Sequence, residues 1–300
     1  MGILPAIELT GLTKRYPGSA VDALHDISLI VQPGQVYGFL GPNGAGKSTT
    51  INMLINLTRP TSGTIHLFGR DSQAEGLAIR RDVGYLAGDM ALDKGLTGWQ
   101  QLEYIGHLRG KYNHSYVAEL AKRLDSDLSK KIKTLSRGNR QKIGLVAALM
   151  HKPKLLILDE PTSGLDPLVQ MEFEKIVLEH RHAGGSTFIS SHVLSEVQEL
   201  CDRVAIIRKG RLVADKPLAE IVDEAPKHVR FSTTADNPTE YIKKLKGVSD
   251  LKTNGNISFM FKGDIDALAK ALAKKPLTGL SIKDTDLEEI FRKYYEGEHA

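Results

Sequence analysis

Val36-Tyr-Gly-Phe-Leu40, followed without a break by Gly41-Pro-Asn-Gly-Ala-Gly46-Lys47-Ser48-Thr49, decides the fold of this 300-residue chain. The first five residues are a short apolar run of the kind a fully buried strand requires. The next six carry three glycines, and Ser48 to Leu57 then shows helical apolar spacing at Ile51, Leu54 and Ile55. Strand, glycine-rich turn and helix in that order predict an α/β fold. The pattern G-x-x-x-x-G-K-[ST] turns backbone amides and a helix N-terminus toward phosphate oxygens. Gly41, Pro42, Asn43, Gly44, Ala45 and Gly46 are therefore the candidate cradle, with Thr49 at its end. Lys47 would reach β and γ phosphates, and the Ser48 hydroxyl would ligate magnesium.

Downstream, Leu155-Leu-Ile-Leu158 is another buried strand, and it ends in Asp159-Glu160. Acids at the carboxyl edge of a parallel sheet stand where ligands bind. Asp159 suits a magnesium partner, and Glu160 suits a general base that polarises an attacking water. His192 follows the apolar strand Thr187-Phe-Ile-Ser-Ser191. In the company of the glycine loop it becomes a candidate γ-phosphate contact.

Ile7 to Leu12 and Ala23 to Val31 alternate loosely and read as partly exposed strands around the Tyr16-Pro-Gly turn. A predominantly helical lobe is expected over about residues 89–150, with Leu102, Ile105 and Leu108 at three-residue spacing. Val204 to Ile207 is a further apolar strand, so residues 1–222 are expected to form one α/β domain with crossovers. A small α+β domain is expected over 226–300. Its elements are a strand at Val229 to Ser232, a helix capped by Asn237, a hairpin across Asn254-Gly-Asn, a helix over Ile265 to Lys274, and a last helix started by Thr285 with Glu288.

Forty Lys plus Arg against 36 Asp plus Glu leave a net charge of +4, with the signs interspersed. No nucleic-acid partner is expected from that pattern. The balance of 41% hydrophobic and 25% charged residues excludes wholesale disorder. The longest apolar run, Leu145 to Met150, is far short of the roughly 20 residues that span a bilayer. The first residues lack a secretory signal pattern, so a cytoplasmic location is expected. Cys201, the one cysteine, reads as a packing residue.

In this order the motifs resemble the nucleotide-binding subunit of ABC transporters over the first 220 or so residues. Between the glycine loop and the acidic strand lies Leu135-Ser-Arg-Gly-Asn-Arg-Gln-Lys142, which is similar to that family's LSGGQ signature and departs from it at Arg137 and Asn139. The resemblance implies a P-loop NTPase fold of ABC type with an inserted helical subdomain, and a magnesium-dependent ATPase. It implies that Ser136 and Gly138 touch the γ-phosphate bound by an opposite subunit, so that the chain pairs as a homodimer or heterodimer. It assigns Tyr16 to adenine stacking, Pro161-Thr-Ser-Gly-Leu-Asp166 to the D-loop and Ser191-His192 to the switch. Where relatives place a glutamine, this chain has Gly84-Tyr-Leu-Ala-Gly88-Asp89. Either Asp89 substitutes as a metal ligand, or coupling between nucleotide and permease differs here.

The tail, with Asp286-Leu-Glu-Glu-Ile-Phe291, resembles the accessory domain of exporter-type (ABC-2) ATPases. That resemblance implies export of an unspecified cargo through a separate integral-membrane permease, with this chain peripheral on the cytoplasmic face of the cell membrane. The rival is a non-transport nucleotide switch acting on ribosome or DNA. Against it, the interval from Lys47 to Ser136 holds no sustained heptads and the chain carries a single cassette. A GTPase would need an Asn-Lys-x-Asp guanine reader, which the sequence lacks. A binding module without turnover stays open because of Gly88.

Overall fold

Alternation at one end of the chain and unbroken apolar runs further on produce two different sheets. A computed structural model describes residues 4–88, 90–110, 112–234, 242–243, 245–253, 256–274 and 276–296. The chain divides into two compact units, Met1–Lys216 and Pro217–Ala300. In the first unit, β1 (Ile7–Lys14) and β2 (Leu24–Val31) pair antiparallel around the expected Tyr16 turn. Along β2, Leu24, Ile27, Leu29 and Val31 face inward while Ser28 and Ile30 face out, as a half-buried strand requires. β4 (Ser62–Leu67) and β5 (Arg70–Asp71) extend this sheet in the order β2-β1-β4-β5.

The second sheet contains β3 (Val36–Leu40), β6 (Val83–Leu86), β7 (Leu155–Asp159), β8 (Ser186–Ser191), β9 (Arg203–Arg208) and β10 (Arg211–Pro217), ordered β10-β9-β3-β8-β7-β6. β3, β7 and β8 are buried along their whole length. The register pairs Leu40 with Ser191, Asp159 with Ser190, and Leu86 with Leu158, all parallel. With β9 parallel to β3 as well, five strands therefore finish along one edge, the edge at which open parallel sheets bind ligands. Cys201 does pack. A Cβ on Gly38 of β3 would lie 2.9 Å from its Sγ, and burial pushes the thiol pKa well up, which keeps it protonated and unreactive.

α1 (Lys47–Leu54) follows the glycine loop and α2 (Gly76–Arg80) leads into β6. The helical lobe is built from α3 (Gly98–Leu108), α4 (His114–Arg123) and α5 (Arg137–Leu149), with α3 and α4 packed on α5. Its starts are written in the sequence: Thr97 and Gln100 form a reciprocal capping box, and Asn113 and Ser136 cap α4 and α5. α6 (Pro167–His182) is capped by Asp166 with Pro167 first inside, and α7 (Leu194–Leu200) follows β8.

The second unit starts with α8 (Leu218–Glu224) and carries a four-stranded sheet. Its strands are β11 (Lys227–Thr233), β12 (Val248–Lys252), β13 (Ile257–Phe261) and β14 (Leu277–Lys283), in the order β12-β13-β11-β14. Val229, Phe231, Phe259, Phe261, Leu268 and Leu272 form its core, the last two on α9 (Ile265–Leu272). The Asn237 cap and the first two residues of the Asn254 turn lie outside the described residues. The last helix, α10 (Leu287–Glu296), starts later than the Thr285 box implies. The Thr285 hydroxyl donates to the Pro226 carbonyl instead, and Asp286 Oδ1 accepts from the Glu288 amide at 3.1 Å.

Candidate nucleotide site

The glycine loop leaves β3 between the ends of β8 and β9, and its glycines answer to particular crowding. A Cβ at Gly41 would sit 2.3 Å from the Ile207 carbonyl oxygen. At Gly46, φ is +114° and a Cβ would meet Leu24 Cδ2 at 2.5 Å. Neither position accepts another residue without moving backbone or core. Lys47, only 6% exposed, donates to the carbonyls of Gly41 at 2.6 Å and Pro42 at 3.4 Å. Burial lowers its pKa, and the facing carboxylates of Glu160 and Asp159 oppose that shift. An ammonium so placed is partly desolvated and gains from an incoming anion.

Asp159, the last residue of β7, is buried and holds two hydroxyls. Ser48 Oγ donates to its Oδ2 at 3.1 Å, and Ser190 Oγ from β8 donates to its Oδ1. A hydroxyl and a carboxylate side by side are hard oxygen donors, the set magnesium accepts. Among the described residues no cluster of three His, Cys, Asp or Glu could hold a metal.

Glu160 adopts φ +49°, uncommon for a residue with a side chain. Its amide donates to the Ser190 carbonyl at 3.0 Å, and Gln141 Nε2 from α5 donates to the carbonyls of Glu160 and Pro161 at 3.1 and 3.2 Å. The turn is thus held from both sides, and the carboxylate meets His192 Nδ1 at 2.8 Å.

Behind His192, Ser191 Oγ donates to Glu196 Oε2 at 2.5 Å in a buried setting. Burial, with added repulsion from Glu174 and Glu160, pushes the Glu196 carboxyl up to about 7 from its ordinary 4.5. The folded chain therefore keeps this proton between pH 4.5 and 7 while the unfolded chain loses it. Stability falls as pH rises through that window, by a total on the order of 3 kcal/mol. E196Q removes the penalty. Its midpoint of thermal unfolding is expected to exceed the parent's by several degrees at pH 8 and to converge with it near pH 5. Parallel pH profiles for the two proteins would refute the buried, proton-holding carboxyl.

A cavity of about 390 Å³ unites much of the sequence-derived set: Asn43, Gly44, Gly46 to Thr49, Asp159 and Glu160 line it. Gly41, Pro42 and Ala45 form the loop beneath, where the Ala45 amide donates to the Pro42 carbonyl at 3.1 Å. Tyr16, Ser136, Gly138, Asp166 and His192 are not in the lining, His192 meeting it through Glu160. Tyr16 is 40% exposed, with the Lys14 ammonium 5.1 Å above its ring. Gly138 packs so closely on Gly164 that a Cβ would lie 2.2 Å from the Gly164 carbonyl oxygen, and Asp166 reaches Lys142 at 3.4 Å. Ser136, Gly138 and Asp166 form a separate group at the starts of α5 and α6. Asp89 lies outside the described residues. Sequence reasoning missed Ser190, Gln141 and Glu196. Gln141 carried a signal, lying one helical turn beyond Gly138 inside the quoted segment.

A glycine-loop cation, a hydroxyl–carboxylate pair and a carboxylate–imidazole pair on one parallel-sheet edge define a P-loop nucleoside triphosphatase. Residues 24–163 match the family described as ABC transporter. Over 299 residues the chain is 32% identical to the bacitracin transport ATP-binding protein BcrA of Enterococcus faecalis, covering 97% of this chain and 96% of that one. It is 40% identical over 223 residues to the daunorubicin/doxorubicin resistance ATP-binding protein DrrA of Streptomyces peucetius, covering 72% and 66%. Among solved structures, an ATP-binding subunit of an ABC transporter matches with a TM-score of 0.66 at 30% identity, over 72% of this chain and 91% of that one. A dimeric ATP-binding cassette in a post-hydrolysis state with ADP and phosphate shares the fold, with a TM-score of 0.62 at 22% identity over 71% and 98%. The chain belongs to the ATP-binding proteins of ABC transporters. It binds and hydrolyses ATP, and no helix among the described residues is long and apolar enough to cross a membrane.

Proposed function

We propose that this chain energises export through a separate integral-membrane permease, working on the cytoplasmic face of the cell membrane as a homodimer or with a paralogous subunit. The observation that carries the chemistry is the convergence of Lys47, Ser48 with Asp159, and Glu160 with His192 on one sheet edge. The names of the bacitracin and daunorubicin relatives support export. Lys47 and the loop amides bind the β and γ phosphates, and Tyr16 stacks on the base. Ser48 and Asp159 hold magnesium, which when bound neutralises charge on the phosphates. Glu160 takes the proton of the attacking water, and His192 fixes its carboxylate and contacts the γ-phosphate.

Ser136, Gly138 and Asp166 serve the nucleotide of the opposite subunit, which accounts for their place outside this chain's own cavity. ATP then closes the dimer because the γ-phosphate favours the closed state, and hydrolysis reopens it. Residues 226–300 form the accessory domain of this reading. The test is purification of the tagged chain from detergent-solubilised membranes of its host, with and without ATP and magnesium. A stoichiometric polytopic partner is the expected result. Recovery with ribosomal or other non-membrane partners alone would overturn export in favour of a nucleotide switch.

A further inference from the structure

Arg137 stands first in α5, where a family signature has glycine, and it lines the same cavity as Lys47, Ser48, Asp159 and Glu160. Gly88 lines that cavity too, and a Cβ there would be 3.4 Å from Asp159 Oδ2. A second cavity of about 340 Å³ continues past the same two residues and is bounded by Met90, Arg140 and Gln141. Beside the carboxylate that faces Ser48, the wall at position 88 therefore carries no side chain, and Arg137 lines the same space.

Three observations leave this exposed guanidinium open to an anion. No carboxylate lies within ion-pair reach of it among the described residues, so its charge is not already engaged as those of Arg123, Arg181 and Arg203 are. α5 has no acidic residue in its first turn, so Arg137 sits against the positive end of the helix dipole, where a cation is disfavoured unless an anion joins it. The cavity it lines is the one into which Lys47 and the glycine loop would direct a triphosphate.

Resting on the nucleotide-site reading above, we propose that Arg137 binds the terminal phosphates of the nucleotide held by its own chain's glycine loop, using the space that Gly88 leaves beside Asp159. A planar guanidinium can offer two parallel donors to phosphate oxygens. The γ-phosphate lies at the acidic-strand side of such a site, so ATP gains from Arg137 and ADP gains little. The signature segment thereby acts twice: Ser136 and Gly138 serve the opposite subunit's nucleotide, and Arg137 serves its own chain's.

The test is equilibrium binding of a non-hydrolysable ATP analogue and of ADP, with magnesium, to the parent, R137A, R137K and K47A at protein concentrations too low for dimers. R137A is expected to weaken the analogue by about tenfold or more while changing ADP less than about twofold. R137K recovers part of the loss, because an ammonium keeps the charge without the fork. In a G88Q background the cost of R137A shrinks, since the added side chain fills the same space. An unchanged ratio of analogue to ADP affinity in R137A, with unaltered thermal unfolding, overturns the proposal. A loss seen only at dimer-forming concentrations overturns the same-chain assignment, and equal costs with Gly or Gln at position 88 overturn the link to Gly88. If K47A also binds both nucleotides like the parent, the nucleotide-site reading fails; if K47A loses them while R137A does not, only the role of Arg137 falls.

Discussion

Glu160→Gln is expected to lower steady-state ATP turnover by about 10²-fold or more and to leave ATP affinity within about twofold of the parent. The substitution keeps size and shape, so the turn at φ +49° and the Gln141 hydrogen bonds to the Glu160 and Pro161 carbonyls persist. The Gln carbonyl can still accept from His192 Nδ1, 2.8 Å from the carboxylate in the parent. What disappears is a group able to take a proton from water. The cradle of Gly41 to Lys47 is held by the Gly41 and Pro42 carbonyls and feels Glu160 only through its charge, so ground-state binding is largely spared. A fall in kcat without a matching change in binding is the signature of an interaction made in the transition state. Phosphate release and equilibrium titration on one preparation read the two quantities. Turnover within about threefold of the parent would remove Glu160 from the chemistry.

The expectations that held are those in which local chemistry leaves one solution. A strand buried on both faces must be an apolar run, which Val36–Leu40 and Leu155–Leu158 are; a chain that turns sharply into a helix needs glycines, which Gly41 and Gly46 supply where a Cβ would collide with Ile207 or Leu24. The three-residue spacing pointed correctly to a helix, α3, but not to which of its residues are buried. Leu102, Ile105 and Leu108 are three apart, and at 3.6 residues per turn the last has rotated about 120° from the first. Leu102 is buried and Leu108 is 71% exposed. β14 escaped notice because most of its side chains stay exposed or half-exposed, so it carries little alternation to read. Thr285 resembled a helix cap until a tertiary partner, the Pro226 carbonyl, took its hydroxyl.

Within the site, single residues were legible and their pairings were not. Asp159 and Glu160 could be placed at a strand end, but only the β7–β8 register puts Ser190 against Asp159. The reach of Gln141 from α5 to the Glu160 carbonyl depends on how α5 packs beside β6, and nothing local encodes that distance. Ser136 and Asp166 cap α5 and α6 through their own side chains. Their residue types are thus fixed by helix starts as well as by any contact with nucleotide, and the sequence alone could not separate the two demands.

Lys47→Ala isolates binding as Glu160→Gln isolates chemistry. Charge-assisted hydrogen bonds contribute about 1.5–3 kcal/mol each, so losing the ammonium is expected to weaken ATP by roughly 10- to 100-fold. ADP is expected to weaken less, because Lys47 sits where both the β and γ phosphates gather and the diphosphate offers it fewer oxygens. The fold should tolerate the change. Burial already lowers the Lys47 pKa, so removing the cation relieves a desolvation cost, which offsets the hydrogen bond lost at the Gly41 carbonyl. An unfolding midpoint close to the parent's is therefore expected alongside the binding loss. Lys47→Arg should not rescue affinity, since a side chain 6% exposed against the Gly41 and Pro42 carbonyls leaves no room for a planar guanidinium. Parent-like ATP affinity in folded Lys47→Ala would show that the glycine loop does not hold the phosphates, and the roles of Ser48, Asp159 and Glu160 would fall with it.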